Sequence, residues 1–378
     1  MPVLAKYEDC TGCGACSDSC HNKAIKMVPR NGFGHLYPYV EKDKCIDCGA
    51  CEKSCPFVEK TIEQITPQKC YAAWVKDIEE NRKSTSGGMA TLFAQRIIDL
   101  GGVVYGCANV GIEFKHVRVD NREALESLRG SKYVQSNLAG IYTNIRLDLK
   151  AGTQVLFIGT PCQVAGLRTF LKREYENLIT VDLICHGVPS AFMLQKHLST
   201  KCRLSDITGV SFREDGFNLK VYNNSNILYQ SNLWKERYKD AYYTAFIKGY
   251  NYRDNCYSCK YANRKRCGDI TIGDFWGLGK TVPFNSAHPN AGISAVLTNT
   301  SKGQSFFDSL ADSLYVYERT VEEAVAGNPQ LQHPVKKTRR IKIFRYLVNH
   351  GYSLKSALYM TDFYLLPIYW VLNKIRNR

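Results

Sequence analysis

The sequence predicts a mixed α+β and α/β protein. A small cysteine-rich module spans residues 1–62, an α/β body with a β-rich insertion spans 68–330, and a helical tail spans 336–378. Three observations carry that reading. Two copies of one cysteine run lie 35 residues apart within the first sixty residues. From residue 70 onward, short apolar runs bounded by Gly, Pro and polar residues alternate with segments of helical period, the rhythm of helices packed on a sheet. The last 44 residues hold ten Lys/Arg against the single acid Asp362, so +9 of the net charge of +15 sits there.

Composition narrows the class. A chain of 378 residues fits about two to three domains. With 44% apolar and 22% charged residues it is no disordered chain, and 28 Gly and 12 Pro are too few for a low-complexity or collagen-like one. The start, MPVLAKYEDC, has no apolar core of a secretory signal. The longest apolar run, Phe363 to Leu372, contains Pro367 and falls far short of the ~18–20 residues that span a bilayer. A cytoplasmic chain is therefore expected, whose one route to a membrane is its tail. Residues 1–60 balance eight Lys/Arg against eight Asp/Glu, so no nucleic-acid partner is expected.

Sixteen cysteines in a reducing compartment mean metal or redox chemistry rather than disulfides. Cys10, Cys13, Cys16 and Cys20 lie in CTGCGACSDSC; Cys45, Cys48, Cys51 and Cys55 lie in CIDCGACEKSC, followed by Pro56. This C-x2-C-x2-C-x3-C spacing is that of two 4Fe-4S clusters. Three thiolates at two-residue intervals wrap one face of a cube, and Gly12, Gly14 and Gly49 let the backbone come close. The fourth Cys reaches across to the other cluster. The expected ligand sets are Cys10, Cys13, Cys16 and Cys55, and Cys45, Cys48, Cys51 and Cys20. Zinc is the alternative, but its sites pair two distant C-x2-C or His motifs, which a doubled run does not resemble. His21 stands where Pro commonly follows the fourth Cys and is expected to alter packing or potential, not ligation. NGFGHLYPYVEKD between the runs reads as a hairpin.

The body divides into 68–150 and 151–330. In its first part CYAAWV is a strand, Gly88–Leu100 a helix, VVYG and HVRV strands, and Arg122–Leu128 and Leu138–Leu149 helices. In its second part QVLFIG is a strand, Cys162–Leu171 a helix and LITVDLIC a strand; VSFRED, LKVYN and NILYQ form the β-rich insertion. Continuous apolar runs such as VLFI and LITVDLI predict strands buried on both faces.

Three loops gather chemistry. Ser84-Thr85-Ser86-Gly87-Gly88 opens a helix and reads either as a phosphate cradle or as a plain N-cap. In Gly159-Thr160-Pro161-Cys162-Gln163, Thr160 suits the cap and Pro161 the first helical position. Cys162 then falls in the first turn, where the helix terminus favours thiolate. Cys185 and His186 follow a strand, at the end where open α/β sheets bind ligands. With Cys256 and Cys259 they bring the thiols to four, enough for a third cubane. Zinc on the same four remains open, as does burial of Cys162 and Cys185 as inert core thiols. Cys70 and Cys107 read as core, Cys202 lies in no motif, and Cys267 competes for a place among the ligands.

Taken together, STSGG (84–88), RGSKYVQS (129–136), GTPCQ (159–163), DLICHGVPS (182–190), CYSCK (256–260) and DITIGDFWG (269–277) resemble the coenzyme F-420 hydrogenase/dehydrogenase beta subunit family, in the family's order. The leading module is similar to the two-cluster, bacterial-type ferredoxin domain fused to part of that family. The resemblance implies a flavin-binding body: FAD beside a 4Fe-4S cluster, exchanging electrons with an organic acceptor. The family's acceptors include the deazaflavin coenzyme, a chlorophyllide vinyl group and a hydroxymethyl chlorophyll. Ser86, Gly87 and Gly88 match its flavin-phosphate loop, Ser131, Lys132 and Tyr133 a loop near the flavin, and Cys162, Cys185, Cys256 and Cys259 its cluster ligands.

The implied function is an iron–sulfur flavoprotein oxidoreductase that relays electrons between two ferredoxin-type clusters, a body cluster, FAD and an organic substrate. The alternative is an electron-transfer subunit that docks on a partner enzyme and has no substrate of its own. A redox partner protein or a small electron carrier is expected in either case. Lys132 either neutralises a reduced flavin or a phosphate, or is a surface lysine. Asp274 and Trp276 either touch the cofactor or form a tight turn with a core Trp. His186 is a proton donor or a hydrogen-bond partner of the cluster ligands, and no catalytic acid is assigned. The KKTRRIKIFR arm and the residues after it resemble an interfacial segment drawn to anionic lipid, or else a helical tail packed on the body.

Overall fold

The computed structural model describes residues 1–60, 62–236, 238–286 and 292–363. The module is a single-turn helix α1 (Ala15–Asp18) and an antiparallel hairpin, β1 (Ile25–Arg30) with β2 (His35–Val40), paired Ile25↔Val40 to Arg30↔His35. The hairpin read from sequence is present, with Asn31 and Gly34 taking positive φ at the turn. The module does not stand apart. Asp18 accepts hydrogen bonds from the Gly140 and Tyr142 amides at 2.8 and 2.9 Å, and so caps a helix of the body.

The body and insertion run in chain order as β3 (Lys69–Val75), α2 (Ile78–Arg82), α3 (Met89–Asp99), β4 (Val103–Val110), β5 (Glu113–Val119), α4 (Ile141–Lys150), β6 (Val155–Gly159), α5 (Pro161–Leu171), β7 (Leu178–Leu183), α6 (Ala191–Leu198), β8 (Gly209–Glu214), β9 (Asn218–Asn223), β10 (Asn226–Asn232), α7 (Ala241–Ile247), β11 (Ile270–Asp274), β12 (Ser294–Thr298), α8 (Ser301–Asp308), β13 (Leu314–Arg319) and α9 (Val321–Gly327). One eight-stranded sheet has the order β13-β3-β12-β11-β7-β6-β4-β5, and its central run β11, β7, β6 and β4 is parallel. The sheet draws strands from both parts of the body. β6 and β7 are buried along nearly their whole length, as their apolar runs require. Phe93 and Ile97 of α3 and Phe307 of α8 cover one face of the sheet; α4 and α5 cover the other, where Cys13 and Ala15 of the module join the same core.

The insertion is a separate antiparallel sheet, β10-β9-β8. Its core of Phe212, Leu219, Val221 and Tyr242 is shared with Phe33 from the module hairpin and Phe344 from the tail. Full burial of Phe33 contributes about 2–3 kcal/mol toward holding the three parts together.

One expectation changes, and of the two readings of the tail the packed one describes its two helices. The segment Arg122–Leu128 is not an α-helix but a 3-10 turn over Ala124–Leu128. Asn121 caps the Ala124 amide, the Ser127 hydroxyl takes the Ala124 carbonyl, and Gly130 ends the turn with φ +78°, leaving too few residues for a longer ladder. The described tail, α10 (Arg339–Asn349) and α11 (Leu354–Asp362), is not a detached arm. Ile341, Phe344, Leu347, Leu354 and Leu358 face the core, and Arg345 pairs with Asp254 at 2.6 Å. Residues 364–378, which hold most of the apolar run from Phe363, lie outside the described residues. Among the described residues no helix is long and apolar enough to cross a membrane.

Candidate metal and cofactor centre

In the module, Cys10, Cys13, Cys16 and Cys55 line one cavity together with Gly12, Gly14, Met27 and Phe57. Cys20, Cys45, Cys48 and Cys51 line a second with Ile25, Val40 and Ile46. Each cavity takes three thiols from one run and the fourth from the other. Gly12 has φ +66°, and a Cβ there would stand 2.7 Å from a guanidinium nitrogen of Arg253, so both conformation and space demand glycine. Among the described residues no three His, Cys, Asp or Glu side chains close tightly enough to hold a single metal ion.

The sulfurs are surrounded by N–H donors. The Ala24 amide donates to Cys20 Sγ at 3.2 Å, and backbone amides also reach Cys13, Cys51, Cys185, Cys256 and Cys259. Donors of this kind suit sulfurs carrying cluster charge. Burial pushes the Cys13 thiol up to about 11 and the Cys16 thiol well above its ordinary range. Burial thus disfavours the free thiolate at Cys13 and Cys16, and a bound metal would take the place of their protons.

Of the body thiols, Cys162 lies in the first turn of α5, Cys185 two residues beyond β7, Cys256 in a 3-10 turn over Asp254–Ser258, and Cys259 just after it. Burial raises all four. Cys162, Cys185 and Cys256 each also feel at least two of the other thiols in the set. Burial outweighs the α5 terminus at Cys162, so the helix alone does not make this sulfur a reactive thiolate. Thr160 and Pro161 start α5 as expected, and the Gln163 side chain, which the sequence reading gave no role, accepts from the Thr160 amide at 2.9 Å. Cys267 is buried and its amide goes to Asp182; Cys70 is buried in β3.

Loops 84–88 and 131–133 meet each other and the start of β12. In 84–88, Ser86 Oγ lies 3.1 Å from Ser294 Oγ, and the Gly87 amide donates to Ser294 Oγ at 3.0 Å. A Cβ on Gly87 would stand 2.3 Å from the Ala73 carbonyl. Gly88 opens α3 with φ +84° and no side-chain cap, which leaves amides of the first turn of α3 for another acceptor. Thr85 and Ser131 hydroxyls are 3.1 Å apart, which ties this loop to the 131–133 loop.

Lys132 is half-buried rather than on the surface. Its Nζ donates to the Leu128 and Arg129 carbonyls at 2.7 Å, and burial lowers its ammonium to about 8. Tyr133 stacks on Phe246 with ring centroids 4.4 Å apart. Asp274, at the end of β11, receives Arg213 Nη1 at 2.6 Å. Trp276 is 45% exposed, so it is not a core residue, and it stacks on Phe217 of the insertion. His186 Nδ1 meets Gln330 Nε2 at 2.5 Å, and burial lowers its imidazole.

The sequence reading missed several members of the site. Ser294 and Arg213 complete the loop cluster, Arg253 joins the module to the body, and the buried pair Asp182–Arg266 underlies the knuckle that carries Cys256 and Cys259. A basic residue on each side of CYSC was the one visible signal for Arg253 and Lys260.

Comparison with known proteins finds two family matches. Residues 152–324 match the family described as the C-terminal part of the beta subunit of coenzyme F420 hydrogenase/dehydrogenase, and residues 9–58 match the 4Fe-4S dicluster domain. No curated protein matches. Among solved structures, a chain of the F420-reducing [NiFe] hydrogenase complex from Methanosarcina barkeri is similar at 18% identity, covering 78% of this chain and 91% of that one, with a TM-score of 0.46.

Proposed function

This chain is an iron–sulfur electron-transfer protein related to the beta subunit of coenzyme F420 hydrogenases and dehydrogenases, and from that premise we propose that it is a flavin-dependent oxidoreductase linking an electron-carrying partner protein to an organic substrate. Cys10, Cys13, Cys16 and Cys55 would hold an inner module cluster, and Cys20, Cys45, Cys48 and Cys51 an outer one. Cys162, Cys185, Cys256 and Cys259 would hold a third, in the body. Ser86, Gly87, Gly88, Ser131, Lys132, Tyr133 and Asp274 would hold FAD. When bound, clusters supply one-electron transfer and a flavin joins it to two-electron chemistry.

One observation carries the proposal. Helix α5 bears Cys162 in its first turn and Gly166 one turn on, and a Cβ on Gly166 would stand 2.9 Å from Cys13 Sγ. Residues four apart share a helix face, so α5 turns one side to both the inner module set and the body set. The outer set reaches the surface, with Cys48 and Ile46 exposed, and is where a partner would meet the chain. At the other end the residues have different tasks. The uncapped α3 terminus attracts a phosphate, the Ser86–Ser294 contact sets the loop, and Lys132, held by two carbonyls, presents a positive charge in a dry place.

The outward face of α10 carries Arg339, Arg340 and Lys342 with Ile343 and Tyr346, all exposed. We assign it a contact with an anionic lipid surface, while the inward face packs on the body.

The test is anaerobic purification of the whole chain, with iron, acid-labile sulfide and extracted flavin counted per chain. Three clusters and one flavin are expected, and Cys162→Ser with Cys185→Ser should remove one cluster's iron alone. Full iron without flavin would leave the relay subunit, docking on a partner enzyme, as the function.

A further inference from the structure

Arg253 is wholly buried at the joint between module and body. Its main chain belongs to the body: its amide donates to Val188 O at 2.9 Å and its carbonyl accepts the Cys256 amide at 3.0 Å. Its side chain belongs to the module. Nε donates to the Cys10 carbonyl at 2.7 Å, Nη2 to the Leu36 carbonyl at 2.9 Å and to Cys10 Sγ at 3.6 Å, and Nη1 to Gln135 Oε1 at 3.2 Å. The Tyr37 ring lies 4.0 Å from the guanidinium, and Gly12 leaves it room.

Among the described residues no carboxylate pairs with this guanidinium. Asp254, next in the chain, is taken by Arg345 at 2.6 Å and Lys337 at 3.2 Å. A guanidinium does not shed its proton, and a buried charge without a counter-charge is strongly unfavourable. Every contact of the Arg253 head group is to a neutral oxygen or ring except one, the sulfur of Cys10. Lys260, at the other end of the same knuckle, repeats the pattern. Its Nζ donates to the Pro56 carbonyl beside Cys55 at 2.7 Å and lies 4.1 Å from the Phe57 ring.

We propose that Arg253, seconded by Lys260, is the counter-ion of the cluster held by Cys10, Cys13, Cys16 and Cys55, and that it raises that cluster's reduction potential. The inference rests on the ligand assignment above. Each electron added to a cluster adds negative charge, and a fixed cation in a dry site favours the reduced form. Both cations stand on the body's own knuckle. The module therefore gains them only when docked, and the inner cluster becomes the better electron acceptor for being joined to the body.

The experiment is an EPR-monitored redox titration of anaerobic holoprotein. The inner-cluster signal is identified by its loss in Cys16→Ala. Arg253→Gln should lower the reduced-to-oxidised ratio of that cluster at least tenfold at fixed potential, about 59 mV for one electron. Arg253→Lys should stay within threefold of the parent, and the outer cluster should not move. Lys260→Gln, which leaves the joint intact, should shift the same signal downward by at least twofold. An unmoved midpoint in Lys260→Gln, or equal shifts in Arg253→Gln and Arg253→Lys at full iron content, overturns the counter-ion role. A parent protein without acid-labile sulfide overturns the ligand assignment instead, and does so before any potential is read.

Discussion

Replacing Asp182 with Ala should be the most damaging single change in the body outside the thiols. Asp182 is 0% exposed at the end of β7. Its carboxylate accepts from Arg266 Nη2 at 2.8 Å and Nε at 3.2 Å, from the Cys267 and Gly268 amides at 2.8 and 2.9 Å, and from the Thr271 hydroxyl at 2.6 Å. Arg266, itself 1% exposed, also holds the Tyr261, Asn263 and Leu183 carbonyls. The alanine strands a buried guanidinium, which costs about 3–5 kcal/mol, and orphans two amides at about 1–3 kcal/mol each. These terms overlap, but the first alone is a large share of the about 5–15 kcal/mol that holds a domain together. Urea unfolding of the anaerobic holoprotein measures the loss. Asp182→Asn should be milder, and if Cys162, Cys185, Cys256 and Cys259 hold a cluster as proposed, it should release that iron before the module's, because the pair anchors the segment after Cys259. Asp182→Leu combined with Arg266→Met should recover much of the stability. An alanine variant within 1 kcal/mol of the parent would refute the reasoning.

Gly12→Ala should lose one cluster's iron while keeping the rest, since the methyl group meets Arg253 at 2.7 Å; iron analysis showing no loss counts against the close fit. Burial holds the His116 imidazole down to about 4, opposed by its hydrogen bond to the Ile158 carbonyl and helped by Lys132. The unfolded chain binds the extra proton first, so the contribution is complete above pH 6.5 and falls by about 1.4 kcal/mol per unit from there to pH 4. His116→Phe should flatten that slope in pH-dependent melting, and an unchanged slope would clear His116 of the effect. Replacing Arg339, Arg340 and Lys342 together with Gln should weaken sedimentation with anionic vesicles by about 1 kcal/mol per charge and leave unfolding untouched; equal pelleting of parent and variant would end the lipid assignment.

What could be read in advance followed distance along the chain. The cysteine runs, the α5 start at Thr160 and Pro161 and the buried strands β6 and β7 are local patterns, and each lies where its spacing places it. Cys162, Cys185, Cys256 and Cys259 were grouped by their count and loop positions, which left zinc and inert burial open until the resemblance favoured a cluster. Arg253 and Cys10 are separated by 243 positions, and no local rule pairs them. Lys132 read equally as a cofactor contact or a surface lysine, because the polar stretch around it gives no sign of the tertiary packing that half-buries it. The 122–128 segment has helical composition, but the Asn121 cap and Gly130 leave it room for one tight turn only.

Depth within the chain also sets an order of decay. Cys48 meets solvent, Cys13 is buried against α5, and the body thiols are partly covered. Air should therefore strip this molecule from the outside inward. An aged preparation would lose its handshake with other proteins first, and its interior chemistry would be left intact but unreachable.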